Sequence, residues 1–134
     1  MGCLLALLPL LQLAGCSSAP ATNEAVNAGQ FQDVVVPAGL RLVDDAHESH
    51  SLQAASWRLG HFLYTGSVRV DEAANYVRQR MPQHNWELVA DEVVDPATTR
   101  LRFVRGLYSA EYRFIRQDGR IQMVVDYKTD YTPR

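Results

Sequence analysis

The alternation of apolar and polar positions is clearest in the last third of the chain. Residues 86–94, 98–105, 108–116 and 120–127 read as strands, separated by Asp95-Pro96-Ala97, by Gly106 and by Asp118-Gly119. The last pair suits a two-residue type I′ hairpin, in which both central residues adopt positive φ. A period of two assigns Leu101, Phe103, Ala110, Tyr112, Phe114, Ile121, Met123, Val125 and Tyr127 to one sheet face. Arg100, Arg102, Glu111, Arg113, Gln122 and Asp126 fall on the other.

Upstream the period changes. Val70, Ala73, Ala74, Val77 and Met81 recur at the spacing of one helical face. Asp71 and Glu72 occupy the first turn, where they favour the helix dipole, and Pro82 closes the helix. About a dozen residues make a marginal helix in isolation, so this one must pack against a neighbour. Earlier still, residues 56–64 read as a strand ending at Thr65-Gly66, residues 44–51 as a polar loop, and Val34-Val35-Val36 as a short β-branched run stopped by Pro37. The pattern predicts an α+β fold: an antiparallel sheet of four to five strands with one helix packed on its apolar face, in the order β-α-β-β-β-β, as a single domain over residues 34–130.

The N-terminus follows different rules. From Met1 to Gly15 no residue is charged, and Leu4–Leu13 is apolar apart from Pro9 and Gln12. This run is too short to span a bilayer, which needs about 20 apolar residues, but it has the length of the apolar part of an export signal. It ends in Leu13-Ala14-Gly15-Cys16, which resembles the lipobox of bacterial lipoproteins. The departure is the Met1-Gly2 start, which lacks the usual basic residue.

The resemblance implies a signal peptide over residues 1–15, cleavage before Cys16, and lipidation of Cys16, including palmitate, as a membrane anchor. Ser17 in place of Asp implies the outer membrane, with the protein facing the periplasm. Two or more acyl chains make release from a bilayer slow. Residues 16–33 then read as the lipidated Cys and a small, polar, flexible tether. Because Cys3 leaves with the signal and Cys16 is acylated, the mature domain has no thiol, no disulfide and no thiol metal ligand. A second likeness runs through Val36-Pro37-Ala38-Gly39-Leu40, Tyr64-Thr65-Gly66, Tyr76, Met81-Pro82 and Trp86. It is similar to small bacterial envelope lipoproteins whose soluble domain has no assigned activity.

Charge narrows the function. The 134 residues carry 13 bases and 15 acids, net −2, which argues against nucleic acid as a partner. The distribution is lopsided: residues 24–95 hold eleven acids and five bases, whereas residues 98–120 hold six Arg against Glu111 and Asp118. On the polar sheet face Arg100 or Arg102, Glu111 or Arg113, and Asp126 are positioned for cross-strand ladders. Val89, Val104, Ile115 and Val124 share that face. If they align, Val104, Ile115 and Val124 form an apolar stripe rimmed by Arg102 and Arg113, the make-up of a partner-binding surface. The Val34–Leu42 segment is the alternative cover for this face.

Catalytic signals are sparse. Asp44-Asp45-Ala46-His47-Glu48-Ser49-His50 is the densest set of metal-type ligands, but it lacks a second cluster and reads as a solvated acidic loop; no metal and no cofactor is expected. His61 and His84 read as surface or locally bonded residues. Glu87, Asp91, Glu92 and Asp95 read as a solvated edge. There is no G-x-S-x-G, H-E-x-x-H, P-loop or G-x-G-x-x-G. The aromatics, among them Tyr64, Tyr76, Trp86, Tyr108 and Tyr112, fall at core spacing. The expectation is a non-catalytic protein-binding or scaffolding module held at the envelope membrane by its lipid, with an envelope protein as partner. The alternatives are a carrier of a small ligand or lipid between helix and sheet, and an envelope enzyme.

Overall fold

Seven strands build the sheet, which corrects the expectation of four to five. The computed structural model describes residues 31–132. The signal segment 1–15, Cys16 and the tether up to residue 30 lie outside the described residues.

The strands are β1 (Leu40–Leu42), β2 (His50–Ala54), β3 (Trp57–Gly66), β4 (Glu87–Asp95), β5 (Thr98–Arg105), β6 (Tyr108–Gln117) and β7 (Arg120–Thr129). All pairings are antiparallel, in the order β1-β3-β7-β6-β5-β4, with β2 also on β3. Since β7 pairs with β3 from Leu59 to Gly66, β1 and β2 must share the other edge of β3, β2 along residues 57–61 and β1 along 64–66. Helix α1 (Val70–Arg80) and a 3-10 turn (Met81–His84) carry the chain from β3 across three strands to β4 at the far edge.

The two additional strands lack a local signature. β2 reads His-Ser-Leu-Gln-Ala, without a β-branched residue, and its hairpin to β3 turns through Ala55 at φ 51°. Alanine rarely adopts that left-handed conformation, so the turn is invisible to a Gly/Asn rule. The β-branched Val34–Val36 run forms an irregular buried segment and no strand, because the Val35 backbone is tied to a side chain instead of a sheet edge. Tyr112 Oη accepts from the Val35 N–H and donates to the Val35 carbonyl, both at 3.1 Å.

The apolar face therefore has two covers. The helix contributes Ala73, Ala74 and Val77, buried with Leu101, Phe103 and Tyr112. Beside it the 31–40 segment contributes Phe31, Val34, Val35, Val36 and Leu40 to the same core. Phe31 lies 4.5 Å, centroid to centroid, from Tyr127 and edge-on to Phe62 at 6.1 Å. Phe31, which falls in the last three residues of the expected tether, is thus part of the packed core. Val34–Leu40 lies on the helix side of the sheet and does not cover the polar face. Gly66 is required where β1 meets β3: a Cβ there would sit 2.3 Å from the Gly39 carbonyl oxygen.

Asp33 locks this segment in place. Its carboxylate accepts from Arg105 and from the Tyr127 hydroxyl (3.2 Å), with Arg58 at 3.9 Å, and the Trp86 indole donates to its carbonyl at 3.0 Å. Burial, reinforced by the Asp33 charge, pushes the Tyr127 phenol up to about 12. Burial alone would lower Arg58, but its contacts with Tyr127 and Asp33 outweigh this and raise it.

Candidate functional site

On the face away from the helix, strand register decides which side chains meet. One row runs across five strands as His50, His61, Asp126, Glu111 and Arg102, each opposite the next. The neighbouring row runs Leu52, Leu59, Lys128, Ser109, Val104 and Glu87. A cleft of about 830 Å³ opens over these two rows. His47 from the loop before β2, Val89 from a bulge in β4, and Asp130 and Thr132 after β7 also line it.

The acids of the cleft are engaged from within. Asp126 accepts from His61 Nδ1 at 2.5 Å and from Arg113 Nη2 at 2.9 Å, and Arg113 Nε lies 3.9 Å from Glu111. A carboxylate only accepts, so Nδ1 of His61 carries the proton and Nε2 is the nitrogen left for other contacts. The His50 ring stacks on His61 at 5.6 Å. Asp130 accepts from the backbone N–H and the hydroxyl of Thr132. Arg102 and Lys128, both exposed, make no ion pair among the described residues. Apolar surface lies beside them, with Leu59 40% and Val89 42% exposed.

The structure separates the residues that the sequence grouped. Val104 and Arg102 line the cleft, while Arg113 stands behind it on Asp126. Val124 is buried opposite Leu63 and Arg113, one row beyond the His61–Asp126 row. Ile115 lies a further row away, opposite Thr98 and Gln122. Two rows thus intervene between Val104 and Ile115, one charged and one in which Val124 lies between Leu63 and Arg113, and the apolar stripe does not reach Val104. Missed altogether were Lys128, Leu59 and the His50–His61 pair, whose positions depend on β2 and on the β3–β7 register.

Of the loop ligands, His47 and His50 both line the cleft. Asp45 turns its own loop, accepting from His47 N–H at 2.9 Å through its side chain and from Glu48 and Ser49 N–H through its carbonyl. Among the described residues no three His, Cys, Asp or Glu converge as a metal site requires. His61 and Asp126 supply a base and its orienting carboxylate, but among the described residues no hydroxyl bonds to that imidazole. At the far edge, Asp91 is held by Arg78 of the helix at 2.6 Å and Glu92 by Arg100 across the strands. Among the described residues no helix is long and apolar enough to cross a membrane. Comparison with protein-family models, with curated proteins and with solved structures returns no match for this chain.

Proposed function

We propose that this chain is an exported lipoprotein, fastened through lipidated Cys16 to the outer membrane and facing the periplasm, whose domain docks an envelope protein without catalysing a reaction. The lipobox-like Leu13-Ala14-Gly15-Cys16 supports the anchor. The observation that carries the docking role is the cleft on the open sheet face. There Leu59, Val89 and Val104 lie beside Arg102 and Lys128, the mixture of apolar core and charged rim that protein interfaces use.

The alternatives have less support. Between helix and sheet, Ala73, Val77, Leu101, Phe103 and Tyr112 are all fully buried, and the cleft opens on the opposite side. The His61–Asp126 pair lacks a hydroxyl partner for acyl transfer among the described residues.

The experiment places a photo-reactive residue at position 59 of the full lipidated protein in its native host. A specific adduct is expected, lost on Val104→Asp while the thermal midpoint is kept. An adduct unaffected by Val104→Asp overturns the docking role. Mass spectrometry that finds residue 1 retained and an unmodified Cys16 thiol overturns the anchor.

A further inference from the structure

We infer that the cleft takes an acidic, apolar peptide segment of the partner protein, with a carboxylate of that segment held between Arg102 and Lys128. This inference rests on the docking role proposed above and names the chemistry of the occupant.

The charges of the cleft differ in whether they have partners among the described residues. Asp126 is matched by His61 and Arg113, Glu111 lies 3.9 Å from the same Arg113, and Asp130 accepts from the neutral N–H and hydroxyl of Thr132. A basic ligand would therefore compete with interactions already made. Arg102 and Lys128 are the reverse case, exposed cations lining the cleft without an ion pair among the described residues. A carboxylate brought between them forms charge-assisted hydrogen bonds without breaking an ion pair among the described residues.

Register sets the rest of the specificity. Lys128 and Val104 flank Ser109 in one row, and Arg102 lies in the next, two residues along β5 from Val104. A segment that places acids on these cations thus places its neighbouring side chains over Leu59, Val104 and Val89. Both acidic and apolar residues are needed, and an acid alone would leave that apolar surface wet.

The test uses the full chain in detergent and two fluorescein-labelled octapeptides, one alternating glutamate with leucine and one alternating lysine with leucine, read by anisotropy. The glutamate peptide is expected to bind and the lysine peptide not. Arg102→Gln with Lys128→Gln should weaken the glutamate peptide by about ten-fold or more, the scale of removing paired interface charges. Both residues are exposed, so the thermal midpoint should be unchanged. Equal binding of the two peptides, no binding of the glutamate peptide, or an unchanged affinity in the double variant overturns the inference. Tighter binding of dodecanoate than of the peptide overturns it in favour of a small amphipathic anion, and charge-dependent self-association in sedimentation does so in favour of a second copy. If the position-59 adduct persists in the double variant, the charge assignment falls while the docking role stands. Absence of any adduct in the unsubstituted chain removes both.

Discussion

Val35 and Tyr112, 77 residues apart in sequence, are joined by two hydrogen bonds: the Tyr112 hydroxyl accepts from the Val35 N–H and donates to the Val35 carbonyl. One side chain thus satisfies both backbone groups of a fully buried residue that belongs to no strand. Tyr112→Phe preserves the ring and leaves both groups unpaired. The expected loss is about 1–3 kcal/mol, read as a lower urea midpoint with unchanged slope. Faster limited proteolysis within residues 31–38 should accompany it. An unchanged midpoint would show that the segment is held by its apolar side chains alone.

Tyr127 makes stability sensitive to alkali. Its folded value near 12 lies above the ordinary 10, so between these values the folded state keeps a proton that the unfolded state has lost. Stability from this group is fully present below pH 10 and declines as pH rises toward 12. The contribution is about 2–3 kcal/mol at most. Tyr127→Phe should flatten the stability curve above pH 10, measured by urea unfolding at several pH values; an identical alkaline slope would contradict the assignment.

Gly66 is a packing requirement of a different kind. With the added Cβ of Gly66→Ala only 2.3 Å from the Gly39 carbonyl, β1 must move away from β3, because the obstacle is backbone and cannot rotate aside. A loss of about 1–3 kcal/mol is expected from such overpacking. Hydrogen exchange should accelerate at β1 before it does at β7. Uniform protection in the variant would show that the site relaxes freely.

Val104 and Ile115 should behave differently despite sharing a face. Val104→Asp removes apolar surface from the cleft, whereas Ile115→Asp lies outside it, three rows from Val104. The position-59 adduct should be lost in the first and retained in the second. Equal loss in both would extend the docking surface across the whole face.

Legibility in the sequence tracked how local each signal was. The helical face of Val70, Ala73, Ala74 and Val77 is buried in the structure, and so is the alternating set from Leu101 to Tyr127, because period alone separates a buried face from a wet one. β2 was not legible: its residues have no strand preference and its turn passes through Ala55, so it forms only because the exposed edge of β3 offers partners. Val34–Val36 gave no more than a β-branched run stopped by Pro37. Its burial on the helix side follows from the fold, where a phenol from β6 satisfies the Val35 backbone and no ladder is needed.

By itself the sequence determined which face of each strand and of the helix turns inward, and it placed the lipobox-like Cys16 ahead of the domain. Those are properties of neighbouring residues and of spacing. Only the tertiary structure decided that there are seven strands, that residues 31–40 share the apolar face with the helix, and that His61, Asp126, Glu111 and Arg102 fall in one row while Val104 and Ile115 do not. Register between distant strands depends on the pairing of the whole sheet, and a two-residue slip moves a side chain roughly 7 Å along its strand without changing its face. The pattern of alternation is the same before and after such a slip, so it predicts the face and leaves the neighbours open.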